Sequence, residues 1–319
     1  MQSEPVSDRR AVSERRIALI GAPFDLGSGG KGSVDGPAAL REAGIAKILR
    51  ARGRRVIDRG DAPGIVNIPG ATIDGCHHLR EVAASCRALR DAVAEALAAG
   101  DLPLVLGGDH SLAMGSLAAV ARHCAAAARP LFVVWLDAHA DFNTPASSPT
   151  GHLYGMPVAV ATGEGHPELT ALGHAVPMLD LRRIAQIGVR SVDPLEDERI
   201  GLRGLRAYRM AELKQRGMAS VIAEALEPVR RAGGHLHVSL DIDFLDPSVA
   251  PGVGLAEPDG PGFDDAAHCL AAVEATGLLG SFDLLELSPS HDPSGATAAR
   301  VIDLVARAFA AERPAAQVA

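Results

Sequence analysis

The chain has 319 residues, 47% of them hydrophobic and 3% aromatic, with 31 Lys plus Arg against 39 Asp plus Glu and a formal charge of −8. This composition supplies a sizeable core and excludes a disordered chain, while the mixed acidic charge and scarce aromatic rings argue against nucleic acid or an anionic membrane surface as the partner. No apolar run approaches the ~18 residues that span a bilayer, and the polar first fifteen residues lack the apolar core of a secretory signal, so a cytoplasmic location is expected.

Along the chain, short apolar runs alternate with longer helical patterns. Strands are predicted at Arg16–Ile20, Arg55–Asp58, Leu102–Leu106, Leu131–Leu136, Ile184–Val189, Leu205–Tyr208, Leu236–Leu240 and Ser281–Leu287. Runs such as LPLVL and LFVVWL are apolar on both faces, which suits strands buried on both sides of a parallel sheet. Helices are predicted at Pro37–Arg52, which stops at Gly53, at Leu79–Ala99, at Met218–Ala232 ahead of Gly233-Gly234, after a cap at Asp264 or Asp265, and at Ala296–Ala311. Val66–Gly75 and Pro145–Gly151 read as loops. The alternation predicts a single α/β domain over residues 16–312, one sheet covered on both faces, with 1–15 and 313–319 as mobile ends. Cys76, Cys86, Cys124 and Cys269 form no CxxC pair and are expected as reduced, buried thiols.

Three strand ends carry an unusual load of ligand-type residues. LPLVL runs into Gly107-Gly108-Asp109-His110. LFVVWL runs into Asp137-Ala138-His139-Ala140-Asp141. LHVSL runs into Asp241-Ile242-Asp243, with Asp246 beyond. In an open parallel sheet the carboxyl ends of the strands line one crevice, so these segments are expected to converge there. Strand alternation would point Asp137, His139 and Asp141 one way, and Asp241 with Asp243 likewise. Four clustered carboxylates repel unless cations hold them. Oxygen and imidazole donors without thiolate lean towards Mn²⁺ and leave Mg²⁺, Fe²⁺, Co²⁺, Ni²⁺ and Zn²⁺ open. A pair of ions roughly 3.5–4 Å apart would bring a bridging water to hydroxide near neutral pH.

GGDHSLAMG (Gly107–Gly115), DAHADFNTP (Asp137–Pro145) and SLDIDFLDPSVAPGVG (Ser239–Gly254) resemble the signature segments of the arginase/ureohydrolase family, and GAPFDLG (Gly21–Gly27) with the following DGP resembles its first strand-loop. The likeness runs from about residue 16 to 309. It implies a three-layer α/β/α fold with a mainly parallel eight-stranded sheet, two Mn²⁺ ions and a homotrimer or homohexamer. It further implies that one ion takes His110, Asp137, Asp141 and Asp241, the other Asp137, His139, Asp241 and Asp243, with Asp137 and Asp241 bridging. The implied chemistry is attack of metal-bound hydroxide on a guanidinium carbon, Asp141 belonging to the catalytic group and Glu286 anchoring the guanidinium.

By the same resemblance Asn143 and Thr150 hold a substrate carboxylate, Asp193 lies near its α-amino group, and Glu196 supports that loop. These point to arginine cleaved to ornithine and urea. N-hydroxyarginine, guanidinobutyrate, agmatine or a metal-binding protein without turnover are the alternatives. Four positions depart from the family pattern. Tyr154 stands where arginases carry a histidine that passes a proton to the leaving amine, and a phenol, with pKa about 10, is a poorer shuttle near pH 7. His152 replaces an asparagine and could supply the imidazole if the loop shifts. Leu255 replaces a threonine, and Ser288 an asparagine.

Weaker signals remain. Gly27–Gly32 matches GxGxxG, and Asp58 could serve as a ribose-binding acid, so a dinucleotide-binding oxidoreductase is the rival from another class; the glycines lie too far from the strand end for it. The loop itself is expected as a flexible surface turn; within the family resemblance it would lie near the site mouth, with Lys31 facing the carboxylate end of a substrate. His235 and His237 are expected to pack within a strand, His77-His78 to lie on the surface, and Arg50–Arg55 to be a solvated helix end.

Overall fold

The computed structural model describes residues 15–309; the predicted mobile ends lie outside them, Arg15 excepted. Eight parallel strands form one sheet: β1 Ile17–Ala22, β2 Val56–Asp61, β3 Leu102–Gly107, β4 Leu131–Leu136, β5 Ile184–Val189, β6 Arg206–Arg209, β7 His235–Asp241 and β8 Leu279–Leu285. Their order is β2-β1-β3-β8-β7-β4-β5-β6, with every pairing parallel. The helices are α1 Gly36–Glu42, α2 Ile45–Ala51, α3 Leu79–Ala98, α4 Ala113–Ala126, α5 Pro157–Ala161, α6 Pro167–Thr170, α7 Pro194–Arg203, α8 Met210–Arg216, α9 Met218–Ala232, α10 Phe263–Glu274 and α11 Ala296–Ala308. No helix of the described residues is long and apolar enough to cross a membrane.

Strands β1, β3 and β4 read as continuous apolar runs because both their faces are covered, whereas the edge strands β2 and β6 are polar and partly exposed. Val105, Val133 and Trp135 enter one core with Leu79, Val82, Leu117 and Val158 of α3, α4 and α5. Leu104, Val134 and Leu136 enter the other with Ile45, Val221, Leu270 and Val301 of α2, α9, α10 and α11. The result is a three-layer α/β/α sandwich.

The register fixes where the strands end. Leu106 pairs with Leu284, Leu284 with Leu240, and Leu240 with Leu136, so four central strands finish level. The helices that follow β3 and β4 pack on one face and those that follow β7 and β8 on the other, so the face changes between β3 and β8 and again between β7 and β4. A crevice opens where neighbouring strands send their connections to opposite faces. Gly108 sits at this edge with no room for a side chain, since a Cβ there would overlap the Phe24 carbonyl.

Several sequence expectations are corrected. The helix predicted over Pro37–Arg52 is two helices, broken at Gly44, whose φ of 87° suits glycine. Neither Asp264 nor Asp265 caps α10: Gly262 does, and both acids lie in the first turn, where the helix dipole favours them. Helix α4 carries no readable amphipathic stripe because Ala113 to Ala121 are all buried. Within Arg50–Arg55, Arg54 is buried and donates to the Arg15 carbonyl. All four cysteines are free and buried, as expected.

Candidate active site

The level strand ends deliver the site. Asp137 follows β4, Asp241 closes β7, Glu286 follows β8, and His110 follows β3 by way of Gly108 and Asp109. His110 Nδ1 lies 3.0 Å from Asp137 Oδ2, 3.3 Å from Asp141 Oδ2 and 3.0 Å from Asp241 Oδ2. His139 Nδ1 lies 2.9 Å from Asp243 Oδ2 and 3.5 Å from Asp137 Oδ1. Two groups could therefore hold metal ions, His110 with Asp137 and Asp141, and Asp137 with His139 and Asp243. Asp137 is common to both. Asp246 does not join them; it accepts from Ser248 and Gly260 in its own loop.

The residues converge, though not by strand alternation. Beyond Asp241 the chain tightens into a 3₁₀ turn over Ile242–Phe244, and the Asp241 carboxylate accepts the Asp243 amide. Asp141 has φ 50° and Glu286 φ 69°, both in the left-handed region that side chains rarely adopt. Turns, rather than a period of two, bring these side chains together.

Fixed partners orient the donors. Trp135 stacks on His110 at 4.2 Å between ring centroids and donates to Asp137 Oδ2. The outer nitrogen of His110, Nε2, meets Ser239 Oγ at 2.8 Å. Glu286 Oε1 accepts the His110 amide at 2.8 Å. His139 Nε2 lies 3.7 Å from Glu257, which accepts from Ser191. Arg190, just past β5, donates to the carbonyls of Gly188, Asp243, Phe244, Leu245, Glu257 and Pro258. Trp135, Ser239, Glu257 and Arg190 were not singled out from sequence. Of these Trp135 and Ser239 carry a local signal, each standing two residues before a ligand-type aspartate.

The electrostatics are those of crowded carboxylates. Burial raises Asp141 and Asp241 well above the carboxylate range, and neighbouring Asp137 adds to both; burial raises Asp243 too. Burial followed by the charges of Asp241 and Asp109 does the same to Glu286. Asp137 goes the other way: burial opposes its charge, but hydrogen bonds with His110 and His139 hold it below the usual range. Burial would lower His110, yet Asp137 and Asp141 bring it up to about 9. Asp141 Oδ2 is buried without a hydrogen-bond donor. Excess negative charge, an orphaned carboxylate oxygen and only O and N donors are what a pair of divalent cations fits.

Two cavities adjoin this centre. The inner one, about 10 Å³, is lined by Lys31, Tyr154, Leu255 and Glu286 with Asp141, Asp241, Asp243 and His139. The outer one, about 210 Å³, is lined by Asn143, Thr150, His152, Asp193 and Glu196, among others. Tyr154 and Leu255 line both. Asn143 is already engaged: its amide donates to Asp193 and its oxygen accepts from Ser147. Thr150 is exposed at the rim. His152 lines the outer cavity and stacks on His77 at 4.8 Å, so His77 belongs to the pocket mouth and not to a plain surface pair. Lys31 lines the inner cavity, deeper than either the surface turn expected for its loop or the mouth that the resemblance implies. His235 and His237 stay within β7, both bonded to Ser281.

Glu196 joins two turns. It accepts from the Phe142 amide and closes a capping box on Asp193 at the start of α7. Burial pushes its carboxyl up from 4.5 to about 7. Its folded state thus keeps a proton that the unfolded chain has lost, and this group's contribution to stability falls as pH rises between about 4.5 and 7. Glu196→Gln should therefore show a shallower decline of Tm across that window than the parent; parallel curves would refute the assignment.

An all-parallel sheet whose central strand ends gather carboxylates and imidazoles over a small cavity defines a three-layer α/β/α protein with a candidate two-metal centre. The Arginase family model matches residues 15–310. An arginase of Brucella melitensis is 38% identical over 90% of this chain and 94% of its own, and an arginase of Brevibacillus brevis 36% identical over 92% and 98%. The native arginase structure from Bacillus caldovelox superposes with a TM-score of 0.88 at 35% identity, covering 94% of this chain and all of that one. The chain belongs to the arginase family, whose members are amidinohydrolases.

Proposed function

We propose that the protein is an arginase-type amidinohydrolase that splits a guanidino C–N bond, with L-arginine as substrate and urea and ornithine as products. The observation that carries this reading is the pair of Asp/His groups sharing Asp137, with buried Glu286 against the His110 amide. His110, Asp137, Asp141 and Asp241 would hold one ion, and Asp137, His139, Asp241 and Asp243 the other; Mn²⁺ suits the all-O/N donor set. Such a pair supplies, when bound, Lewis acidity and a nucleophile drawn from water near neutral pH.

The remaining steps fall to the side chains. Glu286 offers an anion to the guanidinium from the floor of the inner cavity. Asp141, with its unbonded carboxylate oxygen, is placed to hold the nucleophile's proton. Tyr154 and Leu255 form the neck between the cavities. Thr150, with Asp193 on the loop that Glu196 braces, receives the amino-acid end in the outer cavity. Asn143 joins them only if it releases Asp193. A cytoplasmic homotrimer or homohexamer is proposed on the family likeness.

The test is urea release from L-arginine by the Mn²⁺-loaded protein, with agmatine and 4-guanidinobutyrate in parallel. Turnover of arginine above the others is expected. Turnover of another guanidino compound alone would move the assignment to a different substrate. That second reading is favoured by the engaged Asn143 amide and by Leu255 in the neck.

A further inference from the structure

Two of the four departures from the family pattern contact Lys31, Tyr154 at its ammonium and Ser288 at its carbonyl, and Leu255 lines the same inner cavity. The Tyr154 hydroxyl lies 3.3 Å from Lys31 Nζ, which also sits 5.2 Å from the phenol ring centroid. The Ser288 hydroxyl donates to the Lys31 carbonyl at 2.9 Å. Gly254, next to Leu255, lets the lysine stem pass so closely that a Cβ there would lie 2.9 Å from Lys31 Cβ. The fourth departure, His152, meets the Tyr154 ring edge-on at 6.2 Å. The loop Gly27–Gly32 is pinned as well: the Gly32 amide donates to Asp25 and the Ser28 amide to Asp109. Lys31 is thus a positioned ammonium group in the inner cavity.

We propose that Lys31 and Tyr154 form a two-member proton relay to the leaving amine, in place of the absent imidazole; this rests on the hydrolase reading above. As the guanidino C–N bond breaks, its electron pair stays on the departing nitrogen. The Tyr154 O–H proton passes to that nitrogen, and a Lys31 N–H proton passes to the Tyr154 oxygen. The amine leaves with one new N–H bond, the phenol is neutral before and after, and neutral Lys31 regains a proton through solvent as Asp141 releases the one taken from the nucleophile.

A phenol acting alone would become phenolate, and burial makes that costly by raising the Tyr154 pKa above its ordinary value. The relay avoids this state. Burial lowers the Lys31 ammonium, while Glu286 and Asp243 oppose that change, which leaves a charged group readier to give up its proton. Tyr154 lines both cavities and Lys31 only the inner one, so the phenol is the member within reach of a substrate bridging the neck.

The test compares Lys31→Met, Lys31→Arg and Tyr154→Phe on L-arginine and on a nitrophenylguanidine, whose weakly basic arylamine leaves without a proton donor. Metal content and thermal unfolding are recorded for each variant. Loss of a general acid is expected to lower kcat on arginine by roughly 10²-fold in K31M and Y154F, while the arylguanidine changes less than about threefold and K31R, whose guanidinium keeps its proton, recovers none of the loss. Equal losses on both substrates, loss of metal with activity, or unchanged arginine turnover in K31M would each overturn the relay. If the parent turns over both substrates and K31M matches it, the relay alone fails. If the parent releases urea from neither, the hydrolase reading fails and takes the relay with it.

Discussion

Asp137→Ala will strip the protein of its metal and lower turnover by about 10³-fold or more, about 4 kcal/mol of barrier. Asp137 is the residue common to both Asp/His groups, and it is also the partner that holds His110 and His139 in place. Removing it leaves one buried and one partly exposed imidazole and three carboxylates without their shared centre, and Trp135 without an acceptor. Metal analysis of the purified variant should find less than one equivalent where the parent binds two. Full activity in a metal-free variant would sink the proposed mechanism.

Glu286→Gln separates charge from shape. The amide oxygen can still accept the His110 N–H, so the fold and the metal groups should survive. What disappears is the anion facing the guanidinium. The expected result is a fall in kcat/KM of about 10²-fold, about 2.7 kcal/mol, with an unchanged unfolding midpoint. A variant with parental kcat/KM on arginine would remove Glu286 from substrate recognition.

Much of this architecture is legible in the amino-acid order. The inner strands β1, β3 and β4 appear as apolar runs because helices cover both their faces, the edge strands β2 and β6 are polar and more exposed, and the ligand-type residues appear at strand ends because a parallel sheet exposes its chemistry there. Geometry is less legible than location. Asp241 and Asp243 look like alternating strand residues, but the chain leaves the sheet between them. Helix α4 is hidden because burial all round erases the polar stripe by which helices are recognised. Lys31 is misplaced from sequence because a glycine-rich loop has no period; its position depends on Ser288 and Gly254, more than 200 residues away. The bond tying Asn143 to Asp193 is likewise a long-range fact that no local pattern contains.

The left-handed backbone at Asp141 and Glu286 bears on how this chain can change. Each such residue costs about 1–3 kcal/mol that the surroundings must absorb. Glycine would adopt either conformation freely, and asparagine more easily than most. A lineage selected for thermal endurance alone would drift to glycine at both positions, gaining stability at each step while erasing the site. The two carboxylates therefore record a running conflict between durability and chemistry, and a stabilised variant obtained by unselective screening should be checked first at residues 141 and 286.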